Sequence, residues 1–323
     1  MRAAVMHAYG VPEDLKIEEL PDPVVKTGFV IVDVKAASVN FPDVLIIANK
    51  YQVTMPLPLI PGSEFAGVVS EVGDGVENFK VGDRVMGATF VGAFSEKVHV
   101  PAMVLRHISD DVDFASASAF MVTYQTSYHG LRSVAKAKPG EWVVILGAAG
   151  GVGSAAIDLA VRFGCRVIAC ASDDAKLAVC RERGADATIN YETENLKERI
   201  KEITGGGADI VFDPVGGRYS EEALRATKWG SRFVVVGFAA GDIPRIPLNL
   251  VLLKGVHIMG FEVRTFPQVE PELYQRDMQE LMAMLNEGFK PVVGATFPLE
   301  QAAAALRYVA DRKATGKIVV VND

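Results

Sequence analysis

EWVVILGAAGGVGSAAIDLA, Glu141 to Ala160, joins two patterns of different period through a turn. Trp142–Leu146 is a continuous apolar run, as expected of a strand buried on both faces in a parallel sheet flanked by helices. Beyond the glycines, Val152, Ala155, Ala156, Leu159, Ala160 and Phe163 recur at roughly i, i+3, i+4 spacing and give one apolar helical face. The turn between them gathers free backbone N–H groups and the positive end of a helix dipole, which suits a pyrophosphate. The dinucleotide fingerprint G-x-G-x-x-G falls on Ala148, Ala149, Gly150, Gly151, Val152 and Gly153, with alanine at the first glycine position. Gly147 precedes it and can ease the turn. Gly150 leaves room for a pyrophosphate, and Gly153 lets the helix pack close to the strand. A glycine-rich helix start without a ligand is the plain alternative. The strand–turn–helix context favours nucleotide binding.

Downstream of this unit the two periods keep alternating. CRVIACA, DATINY, ADIVFDPVGG and SRFVVVGFA read as strands, separated by the helical patterns DDAKLAVCRERG, LKERIKEITGGG and SEEALRATKWG. Such alternation implies a parallel sheet wound with right-handed crossovers. LVLLKGVHIMGFEV reads as further apolar strand material, followed by a helix over ELYQRDMQELMAMLNEG, a second over QAAAALRYVADR and a closing strand KIVVV. The first part of the chain differs. FVIVDVKAASV and FAGVVSEV read as strands among dense proline and glycine punctuation, which suggests a compact barrel-like β domain. DFASASAFMVTYQTSYHGL turns helical, and Pro139-Gly140 marks the boundary before the organising strand.

Composition narrows the class. The 323 residues are 50% hydrophobic and 23% charged, with a net charge of −7, which describes an ordinary globular protein with room for two domains. The acidic balance argues against nucleic acid as the main partner. Neither a membrane-spanning run nor a signal peptide is expected; LNLVLLKGVHIMGF is interrupted by Lys254 and His257. Cys165, Cys170 and Cys180 are too few and too clustered for a disulfide framework, so a cytoplasmic protein is expected.

The end of the second strand bears on which dinucleotide is taken. An NAD site usually offers Asp or Glu there to the ribose 2′-OH. Here the strand ends at Ala171 and continues into Ser172, Asp173 and Asp174. Ala171 leaves space for a 2′-phosphate, Ser172 can donate to it, and Lys176 can supply charge. Asp173 turned inward serves NAD instead; as a helix N-cap it leaves the pocket alone. The expected cofactor is NADPH.

These residues resemble the medium-chain dehydrogenase/reductases, and among them the zinc-free NADPH:quinone oxidoreductase (zeta-crystallin-like) branch. The resemblance rests on VNFPDVL (39–45), NKY (49–51), PGSEFAGVV (61–69), VGDRV (81–85), GAAGGVGSAA, GADATINY and RKATGKIVV, in that order. It implies an α/β fold: a Rossmann doubly wound parallel sheet plus a GroES-like β-barrel domain. The domains would be a GroES-like substrate domain at 1–122, a Rossmann NADP-binding domain at 123–263 and a C-terminal return to the substrate domain at 264–323. Nicotinamide and substrate would lie in the cleft between them.

The resemblance also implies roles. Zinc-dependent relatives place a Cys near the position of Asn40 and a His within PGSEFAG, where this chain has Ser63; the five histidines are scattered and no Cys precedes Cys165, so no metal is expected. Without a Lewis acid the favoured reaction is reduction of an already electrophilic quinone or enone. Asn40 and Asp43 match positions lining the nicotinamide pocket, and Tyr51 matches a tyrosine facing substrate; these are the candidate catalytic residues. Asp43 reads equally as a turn carboxylate beside Pro42, and Tyr51 as a packed aromatic. Glu64 reads as a structural carboxylate. Thr123 resembles a threonine near the nicotinamide ribose, and Tyr191 a residue beside the adenosine 2′-phosphate. Gly237 and Phe238 end a strand at the ligand crevice, and Lys317 reads either as reaching toward the cofactor or as a surface lysine beside its strand. With Ala149, Gly150, Gly151, Val152, Gly153, Ser172 and Lys176 they make up the expected cofactor contacts. A thioester (acyl-CoA) reductase and a non-enzymatic crystallin-like NADPH-binding protein are the competing readings. A homodimer is expected through the Rossmann sheet edge.

Overall fold

The computed structural model describes residues Met1–Asn322. The chain divides into two compact units: Met1–Val122 together with Ala283 onward, and Thr123–Met282.

In the first unit β1 (Arg2–Val5) pairs antiparallel with β2 (Lys16–Glu19). A second sheet begins with β3 (Phe29–Val39), β4 (Glu64–Val72), β5 (Arg84–Ala88), β6 (Lys97–Pro101) and β7 (Leu105–His107). α1 (Phe41–Ile47) lies between β3 and β4, and α2 (Phe114–Ser118) follows β7. The expected strands FVIVDVKAASV and FAGVVSEV are the centre of this sheet, pairing antiparallel.

α3 (Met121–Tyr128) and a π-helical segment at His129–Val134 lead into the second unit. Its sheet consists of β8 (Trp142–Leu146), β9 (Arg166–Ala171), β10 (Ala187–Asn190), β11 (Ala208–Asp213), β12 (Thr227–Val235) and β13 (His257–Gly260). The helices between these strands are α4 (Gly151–Arg162), α5 (Asp174–Glu182), α6 (Leu196–Thr204), α7 (Arg218–Arg225) and α8 (Leu248–Lys254). All pairings are parallel, in the order β10-β9-β8-β11-β12-β13. This is the doubly wound arrangement expected from the alternating periods, and its order reverses beside β8. Its core packs Leu146, Ile168, Val211, Leu224 and Phe233.

The chain then passes through α9 (Phe266–Val269) and α10 (Pro271–Asn286) to β14 (Val293–Pro298), α11 (Ala302–Ala310) and β15 (Lys317–Val321). β15 pairs antiparallel with β3, with Ile318 opposite Val39, so the C-terminal return completes the first sheet. α11 adds Leu306 to the core formed by Val32, Phe65, Val85 and Val320. The return occurs within α10, whereas the sequence reading put it at residue 264. Segment 264–282 stays with the second unit because it packs there: Phe266 lies 4.5 Å from the His129 ring, and Asp277 is hydrogen-bonded to His129.

Two local expectations need correction. The apolar stretch 250–263 is not one strand: its start belongs to α8, which stops at Gly255, whose φ of 55° starts a new segment before β13. The helix expected over SEEALRATKWG ends at Arg225, and its last residues begin β12.

The glycine frame is also sharpened. The left-handed residue of the turn is Gly147 (φ 58°), whereas Ala148 carries no such demand and bonds strand-like to the Cys170 carbonyl at 2.9 Å. Alanine is therefore compatible with the first fingerprint position. Gly153 is the residue that admits no substitution, since a Cβ there would lie 2.3 Å from the Gly147 carbonyl oxygen and 2.7 Å from Ala148 Cα. Helix propensity alone favours Gly153→Ala by about 1 kcal/mol. The backbone collision predicts instead a net loss of about 2 kcal/mol, measured by chemical denaturation; a neutral or stabilised variant would contradict this packing.

Candidate functional site

In the second unit the expected nucleotide residues gather at the carboxyl ends of the parallel strands. Gly150 is the N-cap of α4, and the bond from Ser154 N to Gly150 O (2.8 Å) opens the helix. The N–H groups of Gly151, Val152 and Gly153 thus lie in the first turn, where no intrahelical acceptor exists. Ala149, in the turn before them, is buried. Ser172 follows β9, Tyr191 follows β10, and Gly237 and Phe238 follow β12. The Tyr191 N–H donates to the Ala171 carbonyl at 3.2 Å, so Tyr191 stands beside the Ser172 turn. Thr123 is buried in α3.

Of the two readings of Asp173, the structure has the N-cap. Its Oδ1 accepts from the Lys176 N–H at 2.9 Å, which holds the carboxyl below the usual aspartate range. The Lys176 ammonium lies 3.0 Å from Asp173 Oδ2 and donates to Ser172 Oγ at 3.1 Å. Ser172 and Lys176 are therefore adjacent, and Asp173 sits beside them.

Two features here escaped the sequence reading. Asp213, at the end of β11, is buried; its Oδ1 accepts from the Val215 and Gly216 N–H groups, both at 2.8 Å, and its Oδ2 from Ser220 Oγ at 2.5 Å. It shapes the loop facing the glycine turn's end of the sheet, and DPVGG was its only signal. At the start of α7, Arg218 and Tyr219 bind Glu192 of the turn after β10.

In the first unit the structure gathers Asn40, Asp43 and Lys317 with Ser38, Ser63 and Glu64, all of them buried. Asn40 caps α1, and its backbone N–H donates to Asp43 Oδ2 at 2.7 Å. The Asn40 side-chain carbonyl accepts from the Lys317 ammonium at 2.6 Å. Its amide N–H groups face Glu64 Oε2 at 3.2 Å and the hydroxyls of Ser38 and Ser63, each at 3.4 Å. Glu64 Oε2 also accepts from Ser38 Oγ at 2.6 Å and lies 3.5 Å from Lys317 Nζ, while Oε1 accepts from the Val122 N–H at 2.9 Å. Glu64 thereby ties β3, β4, β15 and the first turn of α3. Tyr51 lies in the loop after α1, half-buried against the core.

Burial dominates the electrostatics of this cluster. It pushes Asp43 up to about 7, against the pull of the Asn40 N–H, Ser63 and Lys317. It pushes Lys317 down, against the pull of Glu64 and Asp43. The donor set does not fit zinc: Asn40 and Ser63 are weak neutral donors, an ammonium already occupies the Asn40 oxygen, and among the described residues no three His, Cys, Asp or Glu side chains converge.

Two family models match the chain: an alcohol dehydrogenase GroES-like domain over residues 26–110 and a zinc-binding dehydrogenase over residues 151–287. A quinone oxidoreductase-like protein 2 from Mus musculus is 36% identical over 311 residues, covering 95% of this chain and 89% of that protein. An alcohol dehydrogenase from Geobacillus stearothermophilus is 32% identical, covering 98% and 97%. The crystal structure of Escherichia coli quinone oxidoreductase complexed with NADPH superposes with a TM-score of 0.92 at 28% identity over the full length of both chains.

Because the folded state holds the Asp43 proton up to about pH 7 while an ordinary aspartate releases it near 3.8, this group makes stability fall as pH rises through that window. Asp43→Asn keeps an acceptor for the Asn40 N–H and removes the titration. Its stability relative to wild type is expected to rise by up to about 4 kcal/mol between roughly pH 4 and pH 7, measured by urea unfolding; a difference independent of pH would contradict the buried, proton-holding carboxyl.

Proposed function

Since this chain is an oxidoreductase belonging to the quinone oxidoreductase family of medium-chain dehydrogenase/reductases, we propose that it reduces a quinone or another α,β-unsaturated carbonyl with NADPH and without zinc. The observation that carries the cofactor choice is the pairing of Ser172 Oγ with the Lys176 ammonium at the end of β9, next to the open first turn of α4. Asp173, the residue that would favour a ribose 2′-OH, is engaged as a helix cap.

NADPH bound there supplies a hydride. The chain's own residues bind and orient it: the N–H groups of Gly151, Val152 and Gly153 for the pyrophosphate, Ser172 and Lys176 for the 2′-phosphate, and Tyr191, Gly237, Phe238 and Thr123 along its length. A quinone or enone needs no Lewis acid to accept a hydride, but the oxygen that becomes negative needs a donor. We assign that role to the Tyr51 hydroxyl. Asp43, which keeps its proton near neutrality, is the buried proton-holding group, and Asn40 acts by position, its amide being fixed by Lys317 and Glu64. The zinc-free reading is supported by the same arrangement, in which an ammonium stands where a metal would need anionic ligands.

The three cysteines are free and buried, in keeping with the cytoplasm; among the described residues no helix is long and apolar enough to cross a membrane. β13 ends the parallel sheet as an edge strand, with Ile258 42% exposed, and α8 beside it exposes Leu252 and Leu253. An edge of this kind invites pairing with its own copy across a two-fold axis, so we propose a homodimer through β13. Sedimentation at micromolar concentration is expected to give a dimer, and Ile258→Lys to give a monomer; a wild-type monomer would refute the assignment.

Steady-state NADPH oxidation with a benzoquinone, a simple enone and acryloyl-CoA tests the reaction. Turnover is expected with the first two. None with any acceptor would leave a binding protein only, and a thioester preference above about tenfold, or about 1.4 kcal/mol, would reassign the substrate class. Lys176→Ala is expected to raise the NADPH KM by roughly tenfold and leave the NADH KM near wild type; an unchanged ratio of the two would remove the NADPH assignment.

A further inference from the structure

The Ser172 site has a charge problem. A 2′-phosphate carries close to two negative charges at neutral pH, yet the one ammonium at Ser172 is already paired with Asp173 at 3.0 Å. A second cation stands on the adjoining loops. Gly216 and Gly217, with φ of 74° and 62°, turn the chain out of β11 and deliver Arg218 and Tyr219 as the first residues of α7. Asp213 anchors that turn through the Val215 and Gly216 N–H groups and Ser220, so the base of the loop is fixed while its side chains reach outward.

The side chains of Arg218 and Tyr219 converge on one carboxylate. Arg218 Nη2 donates to Glu192 Oε2 at 2.7 Å and to the Tyr219 hydroxyl at 3.1 Å, and the Tyr219 hydroxyl donates to Glu192 Oε1. Arg218 Cζ lies 4.9 Å from the Tyr219 ring centroid, and the Tyr219 ring lies 4.3 Å from that of Tyr191, which is bonded through its backbone to Ala171. A continuous row therefore runs from the Ser172 turn through two aromatic rings to a guanidinium. The Arg218–Glu192 pair is open to solvent, with side chains 64% and 42% exposed. Exposed pairs of this kind are weak and readily exchanged, whereas a guanidinium binds phosphate by two parallel hydrogen bonds.

On the reading that the Ser172 site takes NADPH, we propose that Arg218 and Tyr219 form a latch closed on Glu192, which opens to place the guanidinium on the 2′-phosphate and the tyrosine ring against the adenine. The Glu192 carboxylate competes with the phosphate for Arg218 and so sets the degree of preference for a 2′-phosphorylated nucleotide. Arg218 and Tyr219 at the start of α7 and Glu192 after β10 are then specificity residues additional to Ser172 and Lys176.

The test is binding, which needs no turnover. The full-length protein is titrated calorimetrically with 2′,5′-ADP and with 5′-AMP, as wild type, Arg218→Ala, Arg218→Lys, Glu192→Gln and the Arg218→Ala/Glu192→Gln double variant. Arg218→Ala is expected to weaken 2′,5′-ADP about tenfold and 5′-AMP less than about twofold, with Arg218→Lys between. Glu192→Gln is expected to tighten 2′,5′-ADP by about threefold, and the double variant to match Arg218→Ala because the competitor then has nothing to release. If wild type prefers 2′,5′-ADP but Arg218→Ala leaves the preference intact, the latch is overturned and the Ser172–Lys176 site stands. If wild type shows no preference for 2′,5′-ADP, the NADPH reading falls and the latch with it. Both side chains are exposed, and matching thermal melts of the variants confirm that folding is not the cause.

Discussion

The first unit is organised by the need to neutralise one buried ammonium. Lys317 is 3% exposed, and an unpaired charge at that depth is prohibitively costly. The chain meets this need with the Asn40 carbonyl at 2.6 Å, the Val39 carbonyl at 3.4 Å and Glu64 at 3.5 Å. Because Lys317 begins β15 while Asn40 directly follows β3, satisfying the charge also fixes the pairing of this C-terminal strand on the strands from the first part of the chain. Removing either member of such a pair strands the other, at about 3–5 kcal/mol. The same contact orients the Asn40 amide, whose oxygen is held by Lys317 and whose N–H groups face Glu64, Ser38 and Ser63. The candidate site of this unit and its structural closure are thus one set of hydrogen bonds.

The second unit depends on close approach rather than charge. Gly147 turns the chain and Gly153 allows α4 to lie against that turn, which leaves the first N–H groups of a twelve-residue helix at the carboxyl edge of the sheet. Ser172, Tyr191, Asp213, Arg218 and Gly237 reach that edge because a parallel sheet brings the carboxyl ends of all its strands to one side. The loops differ in how firmly they are held. Asp213 is buried and fully engaged, whereas Lys176 and Arg218 are held by exposed carboxylates that a phosphate can replace.

Periodicity made much of this visible in advance. The switch from the apolar run Trp142–Leu146 to the helical face of Val152, Ala155 and Leu159 is local, and so is the alternation that follows it; both translate directly into the parallel sheet. Leu248–Lys254 misled because a short apolar run has no period of its own, and the left-handed Gly255 that separates it from β13 looks like any other glycine. Asn40, Asp43 and Lys317 could each be singled out, but the contact of Lys317 with Asn40 spans 277 residues of chain, and no local pattern encodes it. Glu192 and Arg218 gave no signal at all. Charged residues on loops are usually solvated, and only their convergence with Tyr191 and Tyr219 at one strand edge distinguishes these two.

Hydride transfer without a metal, by a chain whose Lys317 ammonium already occupies the Asn40 oxygen, is the centre of the proposed chemistry. Its most direct measurement is a single-turnover reaction, after exhaustive chelation, between the protein, NADPH deuterated at the transferred hydrogen and a benzoquinone in the absence of oxygen. The expected result is one-for-one loss of NADPH and appearance of hydroquinone, at a rate slowed by deuterium and unchanged by chelation. A reaction abolished by chelation and restored by zinc would contradict it.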